Sequence, residues 1–426
     1  MPTYLTDLGL VCALGSGQQA IAAALLAGDT CGMQAQGGWV SGRELTVGAV
    51  TGELPPMPAG LEAAQSRNNQ LLLAAAVQIE PQIRAAISRY GAGRIGVVLG
   101  TSTSGIHEAA LSIAEQQRTG QLPASYRYSQ QELVAPAAFL SQWLQLSGPS
   151  YVISTACTSS ARALLSAQRL LRLGVCDAVL CGGVDSLCGL TLNGFAALEA
   201  VADARCNPFS ANRNGINIGE GAALFLMTRE LMTREMGSGQ SMSGESTPIV
   251  LLGGGASSDA YHISAPEPHG LGAQAAMRKA LATAGVAAEE IDYLNLHGTA
   301  TRHNDAMESL AVQALFPAGV PCSSSKPLTG HCLGAAGALE AAFCWLTLSR
   351  HNPHRLLPPQ VWDGVPDPEL PALDLVQLGQ QFRSAGTRRL MSNSFAFGGN
   401  NISLLFAQEQ AQEPAAELAP AFGERP

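Results

Sequence analysis

A chain of 426 residues, 46% hydrophobic and 13% charged, has length and apolar content for one large or two fused globular units. Its net charge of −9 argues against a nucleic-acid binder and against anionic membrane surfaces, and no apolar run reaches the length of a membrane span. Its ten cysteines show no C-x-x-C and no paired zinc spacing, and residues 1–15 have neither a basic start nor a long apolar stretch, so reduced thiols in a cytoplasmic protein without a signal peptide are expected.

In chain order, Tyr4 to Ala13 reads as a strand and Gln18 to Ala27 as a helix. Residues 29–60 read as irregular, being rich in Gly and Pro. Ala63 to Tyr90 is mostly helical. Arg94 to Gly100 is a continuous apolar strand of the kind buried in a parallel sheet, followed by the small-residue loop Thr101-Ser-Thr-Ser-Gly105 at its C-terminal end, where ligands collect in such sheets. Ala135 to Leu146 reads as a helix and Tyr151 to Ile153 as a short buried strand. A helix begins at Thr158 and ends at Gly174, and Asp177 to Cys181 is a buried strand stopped by Gly182 and Gly183. Asn207 to Glu220 is a loop, and Ala222 to Thr228 a strand.

Leu226-Met-Thr-Arg-Glu230 is repeated as Leu231-Met-Thr-Arg-Glu235 and runs into a Gly/Ser-rich stretch to Glu245, which reads as an exposed connector. Beyond it, strands are expected at Ile249–Gly253, Ile291–Leu296, Arg389–Ser394 and Asn401–Phe406. Helices are expected at Gly270–Ala284, Asp305–Leu315 and Leu333–Leu348. The domain reading is 1–245, 246–410 and a disordered tail over 411–426. Both halves alternate strands and helices, so two similar α/β layers are plausible on pattern, but no sequence repeat relates them.

Four stretches place reactive side chains among small residues at element boundaries. In Val152-Ile-Ser-Thr-Ala-Cys-Thr-Ser-Ser-Ala161, Cys157 stands at a strand-to-helix elbow. Free amide N–H groups and the positive end of the helix dipole there favour an acidified, nucleophilic thiol; the plainer alternative is a buried filler. In Leu294-Asn-Leu-His-Gly-Thr-Ala-Thr301, His297 ends a strand, where a carbonyl-bonded core histidine is the plainer alternative. Ser323 to Gly337 carries Lys326 and His331; a buried lysine there needs a carboxylate, and Glu340 or Asp305 could serve. Asn393-Ser-Phe-Ala-Phe-Gly-Gly-Asn-Asn401 is an aromatic turn. One thiol and two distant histidines lack metal-ligand spacing. A Cys/His hydrolase needs only one histidine. Two imidazoles facing a thiol suit hydrogen bonding to a thioester oxygen as enolate charge builds on it.

Together and in this order, T-A-C-T-S-S-A, N-L-H-G-T-A-T, S-S-S-K-P-L-T-G-H-C-L-G-A-A-G and N-S-F-A-F-G-G resemble the β-ketoacyl-[acyl carrier protein] synthases of the thiolase superfamily, over Leu5 to about Phe406. The resemblance implies an α/β thiolase-like fold, two similar halves forming a five-layered αβαβα core, usually dimeric. It implies that Cys157 takes an acyl chain from a carrier's phosphopantetheine arm, with the backbone N–H groups of Cys157 and Phe397 as oxyanion hole. His297 and His331 then hold the malonyl thioester while carbon dioxide leaves, and the carbanion attacks the acyl-Cys157 thioester. Lys326 and Glu340 match a supporting pair that positions His331, and Asp305 a further supporting position. Thr299 and Thr301 match positions bonding the pantetheine arm, Phe195 and Thr103 acyl-pocket positions, and Phe397 a gating aromatic with Gly398-Gly399 as its hinge.

No metal or other cofactor is implied. The implied partners are an acyl carrier protein and either a second copy or a related ketosynthase-like subunit, with no nucleic acid and no membrane. The pathway would be fatty-acid or specialised polyene/polyketide-type synthesis.

This chain departs from the family pattern in three places. Arg302, His303 and Asn304 precede Asp305; Asn400 stands where a threonine commonly follows the two glycines; and Glu199 stands where many relatives have a basic carrier-docking residue. An acidic carrier would then need a local basic patch, for which Arg67, Arg205 and Arg213 are candidates. The rival readings are a non-catalytic chain-length-type partner, which would lack the nucleophile, and a degradative thiolase, which would need a second cysteine.

Overall fold

The computed structural model describes residues 3–231, 248–384 and 386–408. Most of the connector, all but the first residue of the second pentapeptide copy, and the tail lie outside the described residues. The first half contains β1 (Tyr4–Cys12), β2 (Gly15–Ser16), α1 (Gln18–Ala27), β3 (Met33–Val40), β4 (Arg43–Gly48), α2 (Arg67–Ala76), α3 (Glu80–Tyr90), β5 (Ile95–Gly100), α4 (Ile106–Thr119), α5 (Ala135–Leu144), β6 (Ser150–Ile153), α6 (Ser159–Arg172), β7 (Ala178–Asp185), α7 (Gly189–Ala197) and β8 (Gly221–Thr228). The second contains β9 (Ile249–Ser258), α8 (Leu271–Ala284), β10 (Tyr293–Asn295), α9 (Arg302–Leu315), β11 (Pro321–Ser323), α10 (Lys326–Thr329), α11 (Ala336–Leu348), β12 (Asp374–Leu375), β13 (Arg389–Ala396) and β14 (Asn400–Gln408).

The strands of each half fall in the same spatial order. In the first it is β6-β5-β7-β8-β1, and in the second β11-β10-β13-β14-β9. Leaving out the short β2 and β12 and the separate β3–β4 hairpin, and numbering the remaining five strands within each half, both read third-second-fourth-fifth-first. The pairing senses repeat as well: β5 is parallel to β6 and β7 as β10 is to β11 and β13, and the remaining neighbours are antiparallel. The two five-strand sets meet at one bridge, Tyr4 to Val250.

Five layers follow from which apolar faces pack together. Val97, Leu99, Leu180 and Leu224 cover one face of the first sheet and pack on α2 and α5. The opposite face, with Leu8, Val179 and Phe225, shares one core with α6, α11 and the second sheet's Leu251, Leu404 and Phe406. The far face of that sheet, with Leu294, Met391 and Leu405, is closed by α8 and α9. All thirteen residues of α11 are buried, as expected of a helix in a central layer that is apolar but for Glu340 and Thr347. Small residues let this layer close: a Cβ on Gly100 would stand 2.2 Å from Ser160 N, and one on Gly337 2.7 Å from the Ala161 Cβ. These contacts seat α6, and with it Cys157, between the sheets.

Several expectations need correction. Residues 29–60 contain the β3–β4 hairpin; Gly37 and Gly38 break its alternation, yet Leu45 and Val47 are buried against Leu187, Leu192 and Ile218. Residues 106–119, unread in the sequence, form α4. Strand β6 is only half-buried, because it is the outermost strand. Gly182 and Gly183 do not stop β7. They lie within it, since a Cβ at Gly182 would meet the Ala223 carbonyl and one at Gly183 the Ser160 side chain. Among the described residues no helix is long and apolar enough to cross a membrane.

Candidate active site

Strand β6 ends at Ile153, and the turn to α6 passes through Ala156 at φ 51°, a left-handed conformation that an alanine adopts only under constraint. The turn is held by the Ser159 hydroxyl, which receives the Thr155 N–H at 2.9 Å and donates to the Ala156 carbonyl at 2.5 Å. Cys157 follows, buried, just ahead of α6. His331 arrives from the loop after α10. Its backbone is clamped to the first half, its N–H donating to the Asn217 carbonyl at 2.7 Å and its carbonyl receiving the Gly219 N–H at 3.0 Å. Its Nε2 lies 3.0 Å from Cys157 Sγ.

His297 stands two residues beyond the end of strand β10. The buried carboxylate of Glu308 on α9 receives the N–H groups of His297 at 2.8 Å and Gly298 at 2.7 Å. The imidazoles of His297 and His331 meet edge to face, centroids 5.3 Å apart, and Phe395 stands 6.0 Å from His297. Cys157 Sγ and a nitrogen of each ring all lie within 4.8 Å of one another. As a donor set they suit a soft cation, but the Lys326 ammonium at 3.5 Å from His297 Nδ1 sets positive charge against one. Lys326 also pairs with Glu340 at 2.5 Å, both side chains 3% exposed.

Lys326 was expected to position His331. Its side chain instead reaches His297 Nδ1 and Glu340 Oε1, while its carbonyl closes the turn leading to His331 by receiving the Gly330 N–H at 2.9 Å. Burial, then the Lys326 charge, holds both imidazoles well below the usual histidine range, so both are neutral near pH 7. A lysine donating to Nδ1 of a neutral imidazole places that ring's own proton on Nε2.

The expected acidic thiol is not found. Burial pushes Cys157 up to about 12, against which the Lys326 charge is a smaller opposing influence. Desolvation of the thiolate outweighs the elbow's amides, and the resting pair is a thiol beside a neutral imidazole.

The other expected site residues are dispersed around this centre. The Thr299 and Thr301 hydroxyls lie 3.0 Å from each other. Phe397 is 39% exposed and packs on Phe195 with centroids 5.6 Å apart, on a tip where Gly398 and Gly399 both have left-handed φ. Asp305 reaches neither histidine: its carboxylate receives the Phe209 N–H at 2.8 Å, and Glu340 is the acid that meets Lys326. The Thr103 hydroxyl donates to Asp185 at 2.8 Å.

The proposed basic patch does not exist as one. Arg67 is bound to buried Glu220 through two nitrogens, and Arg213 is buried and ion-paired with Asp367. Arg205 bonds Thr30 at 3.3 Å.

Two buried carboxylates that hold the site's loops escaped the sequence reading. Glu308 is described above. Asp185, at the end of β7, receives the Thr101 hydroxyl and the N–H groups of Ser102 and Thr103 on one oxygen, and the Ala335 N–H at 3.1 Å on the other. It thereby ties the loop after β5 to the start of α11, just beyond His331. An acid closing an otherwise apolar strand was the available signal.

Residues 63–231 match the family described as "Beta-ketoacyl synthase, N-terminal domain" and residues 249–361 that described as "Beta-ketoacyl synthase, C-terminal domain". The chain belongs to the β-ketoacyl synthase family. Among its relatives, nodulation protein E of Rhizobium meliloti is 37% identical over 278 residues, which is 64% of this chain and 65% of that protein, so the chain spans just under two thirds of that relative's length. The 3-oxoacyl-[acyl-carrier-protein] synthase 2 of Staphylococcus aureus is 30% identical over 357 residues, 81% of this chain and 82% of that protein. A solved structure described as the ketosynthase ApeO in complex with its chain length factor ApeC, from Xenorhabdus doucetiae, is 44% identical with a TM-score of 0.87, covering 96% of this chain and 98% of the other. The β-ketoacyl synthase fold expected from the motifs is therefore the fold found, thiolase-like and mixed α/β.

Proposed function

We propose that this chain is a condensing β-ketoacyl-[acyl carrier protein] synthase, an acyltransferase that lengthens a carrier-bound acyl chain by two carbons. The observation that carries the reading is the 3.0 Å approach of His331 Nε2 to Cys157 Sγ, with His297 completing a buried group of one thiol and two neutral imidazoles.

In the first step the Cys157 sulfur attacks the acyl thioester carbonyl, the pantetheine sulfur leaves, and the thiol's proton goes to it by way of His331. The backbone N–H groups of Cys157 and Phe397 hold the oxyanion. In the second step malonyl thioester binds with its oxygen toward the Nε2–H of His297 and toward His331. Its carboxylate departs as carbon dioxide, leaving the bond pair as an enolate. The enolate carbon attacks the acyl-Cys157 carbonyl, and collapse of the tetrahedral intermediate expels the Cys157 thiolate, which takes a proton from solvent by way of His331 to restore the resting thiol. Lys326 and Glu340 fix the tautomer of His297. Thr299 and Thr301 would hold the pantetheine arm, Phe195 and Thr103 would border the acyl chain, and Phe397 would gate entry.

Partners under this reading are an acyl carrier protein and a second copy or related subunit. The Staphylococcus aureus relative is named for acyl-carrier-protein chemistry, and the Xenorhabdus doucetiae ketosynthase is described with a chain length factor. No cofactor beyond the carrier's own pantetheine is required, and ten free cysteines fit a reducing cytoplasm.

A non-catalytic partner role is disfavoured by the intact Cys157, His297 and His331. A degradative thiolase is disfavoured because Cys332 rests on the Thr329 and Gly330 carbonyls at 3.9 Å, turned to its own loop. The test is mass spectrometry of the Cys157 peptide after incubation with a panel of acyl carrier proteins. Acyl loading is expected in the native chain and none in Cys157→Ala. Unchanged loading of that variant, or turnover of acetyl-CoA without a malonyl donor, would overturn the reading.

A further inference from the structure

The tip of the β13–β14 hairpin, residues 397–399, is tied down on two sides. On the outer side Gly398 N–H donates to the Ile263 carbonyl at 2.8 Å, Asp259 N–H donates to the Gly399 carbonyl at 2.8 Å, and the Asn401 amide donates to Asp259 at 2.7 Å. On the inner side Asn400, the first residue beyond the glycines, accepts through Oδ1 from Arg162 Nη2 at 3.2 Å. The same nitrogen donates to the Ser257 carbonyl at 3.3 Å, at the end of β9. Arg162 lies in the first turns of α6, five residues beyond Cys157. One guanidinium thus bridges the helix that presents the thiol and the strand end that carries the gate.

This arginine is unusually placed for its charge. It is half-buried, it forms no ion pair among the described residues, and its Nε is buried without a hydrogen-bond partner. Holding a cation partly out of water for two carbonyl-type acceptors is costly unless the charge is used. A charged donor makes a bond about twice as strong as a neutral one, and here the acceptor is the residue at which this chain departs from the family's usual threonine.

We propose that Arg162 and Asn400 form a latch that holds the Phe397 tip closed over Cys157, making Arg162 a positioning residue for access to the thiol. The inference rests on the reading of Phe397 as the gate, but its test requires neither a carrier protein nor condensation. The latch predicts opposite effects for two changes at one position. Asn400→Asp turns the neutral acceptor into a carboxylate facing the guanidinium and tightens the tip, whereas Asn400→Ala releases it.

The experiment is alkylation of Cys157, read by mass spectrometry of its own peptide, with iodoacetamide and with a bulky N-alkyl maleimide. The ratio of the two rates cancels any change in thiol acidity and reports the opening. Asn400→Asp is expected to lower the maleimide-to-iodoacetamide ratio about five- to tenfold, and Asn400→Ala and Arg162→Met to raise it by a similar factor. Arg162→Lys should stay near the native ratio, and Arg162→Met should erase the effect of Asn400→Asp. Should Arg162→Met lose cooperative melting, the two Asn400 variants decide alone. Ratios within about twofold of native in both Asn400 variants, or a shift in the same direction, overturn the latch.

Discussion

The two halves share one strand order and one set of pairing senses, yet they hold different parts of the chemistry. In the first half the third strand, β6, runs into Cys157. Its counterpart β11 runs into Lys326 and the loop carrying His331. The second strand leads to Thr101–Ser104 in one half and to His297–Thr301 in the other. The fourth ends at Asp185 in one and at the Phe397 tip in the other. One half supplies a single nucleophile and the other the groups that handle charge. Each half also anchors its strand-end loops with a buried carboxylate, Asp185 or Glu308. The scaffold delivers strand ends to a common seam, and what they do there depends on the side chains they carry.

The sharpest way to break this division is to remove an imidazole. Replacing His297 with alanine should leave acyl transfer to Cys157 largely intact and slow release of carbon dioxide from malonyl carrier by about 10²–10³, as loss of one oxyanion donor does, whereas His331→Ala should slow both steps, since His331 also carries the thiol's proton. Loading measured by intact mass and carbon dioxide release measured on the same preparation separate the two. Loss of loading in His297→Ala equal to the loss of condensation would show that the halves do not divide the work.

Much of this was legible in the chain. Strand β1 and helix α1 fall within a residue of where their periodicity puts them, and Cys157, His297 and His331 stand out because each sits among small residues at an element boundary. The duplication of the two halves was implied by the family resemblance but not legible as a repeat in the chain itself. Pairing sense and strand order survive wholesale exchange of one apolar residue for another, so no sequence repeat records them. Lys326 was legible as a buried cation but not in its target, because its approach to His297 spans 29 residues and is fixed by how β10 and β11 pair. Asp185 was hidden by reading Gly182 and Gly183 as a stop. Those glycines are a close-packing device, recognisable only when Ala223 and Ser160 are seen beside them. The acidity of Cys157 was misjudged because the elbow is local and visible, whereas the burial that overrides it is made by both halves together.

A second test concerns the buried Lys326–Glu340 ion pair of the second half's site. Lys326→Ala leaves the Glu340 carboxylate without its cation in the centre of α11, and breaking such a pair costs about 3–5 kcal/mol. A clear fall in the thermal midpoint is expected together with slowed condensation. Lys326→Met combined with Glu340→Leu should recover much of the stability but none of the condensation, since the buried charge is gone while His297 still lacks its partner. Recovery of both would mean that the pair only fills space.

The smallest effects distinguish the two carboxylate anchors. Asp185→Asn and Glu308→Gln each turn one acceptor oxygen toward backbone N–H groups into a donor, costing about 1–3 kcal/mol. Asp185→Asn should be the costlier, since one of its oxygens alone receives four hydrogen bonds. The Glu308 change carries a pH signature. Burial lifts this carboxyl from the ordinary 4.5 to about 7. Across that window the folded protein keeps a proton that the unfolded chain has released, so Glu308 makes stability fall as pH rises from about 4.5 to about 7. Asp305, lifted by burial from 3.8 to about 6, contributes with the same sign at a lower pH. Glu308→Gln should therefore remove this contribution across the whole window, most visibly between pH 6 and 7, above the range in which Asp305 acts. Urea unfolding at half-unit steps from pH 4.5 to 8 measures this. An undiminished slope between pH 6 and 7 in the variant would place the upper titration elsewhere and leave Glu308 as a plain acceptor of two N–H groups, its role then matching that of Asp185 in the other half.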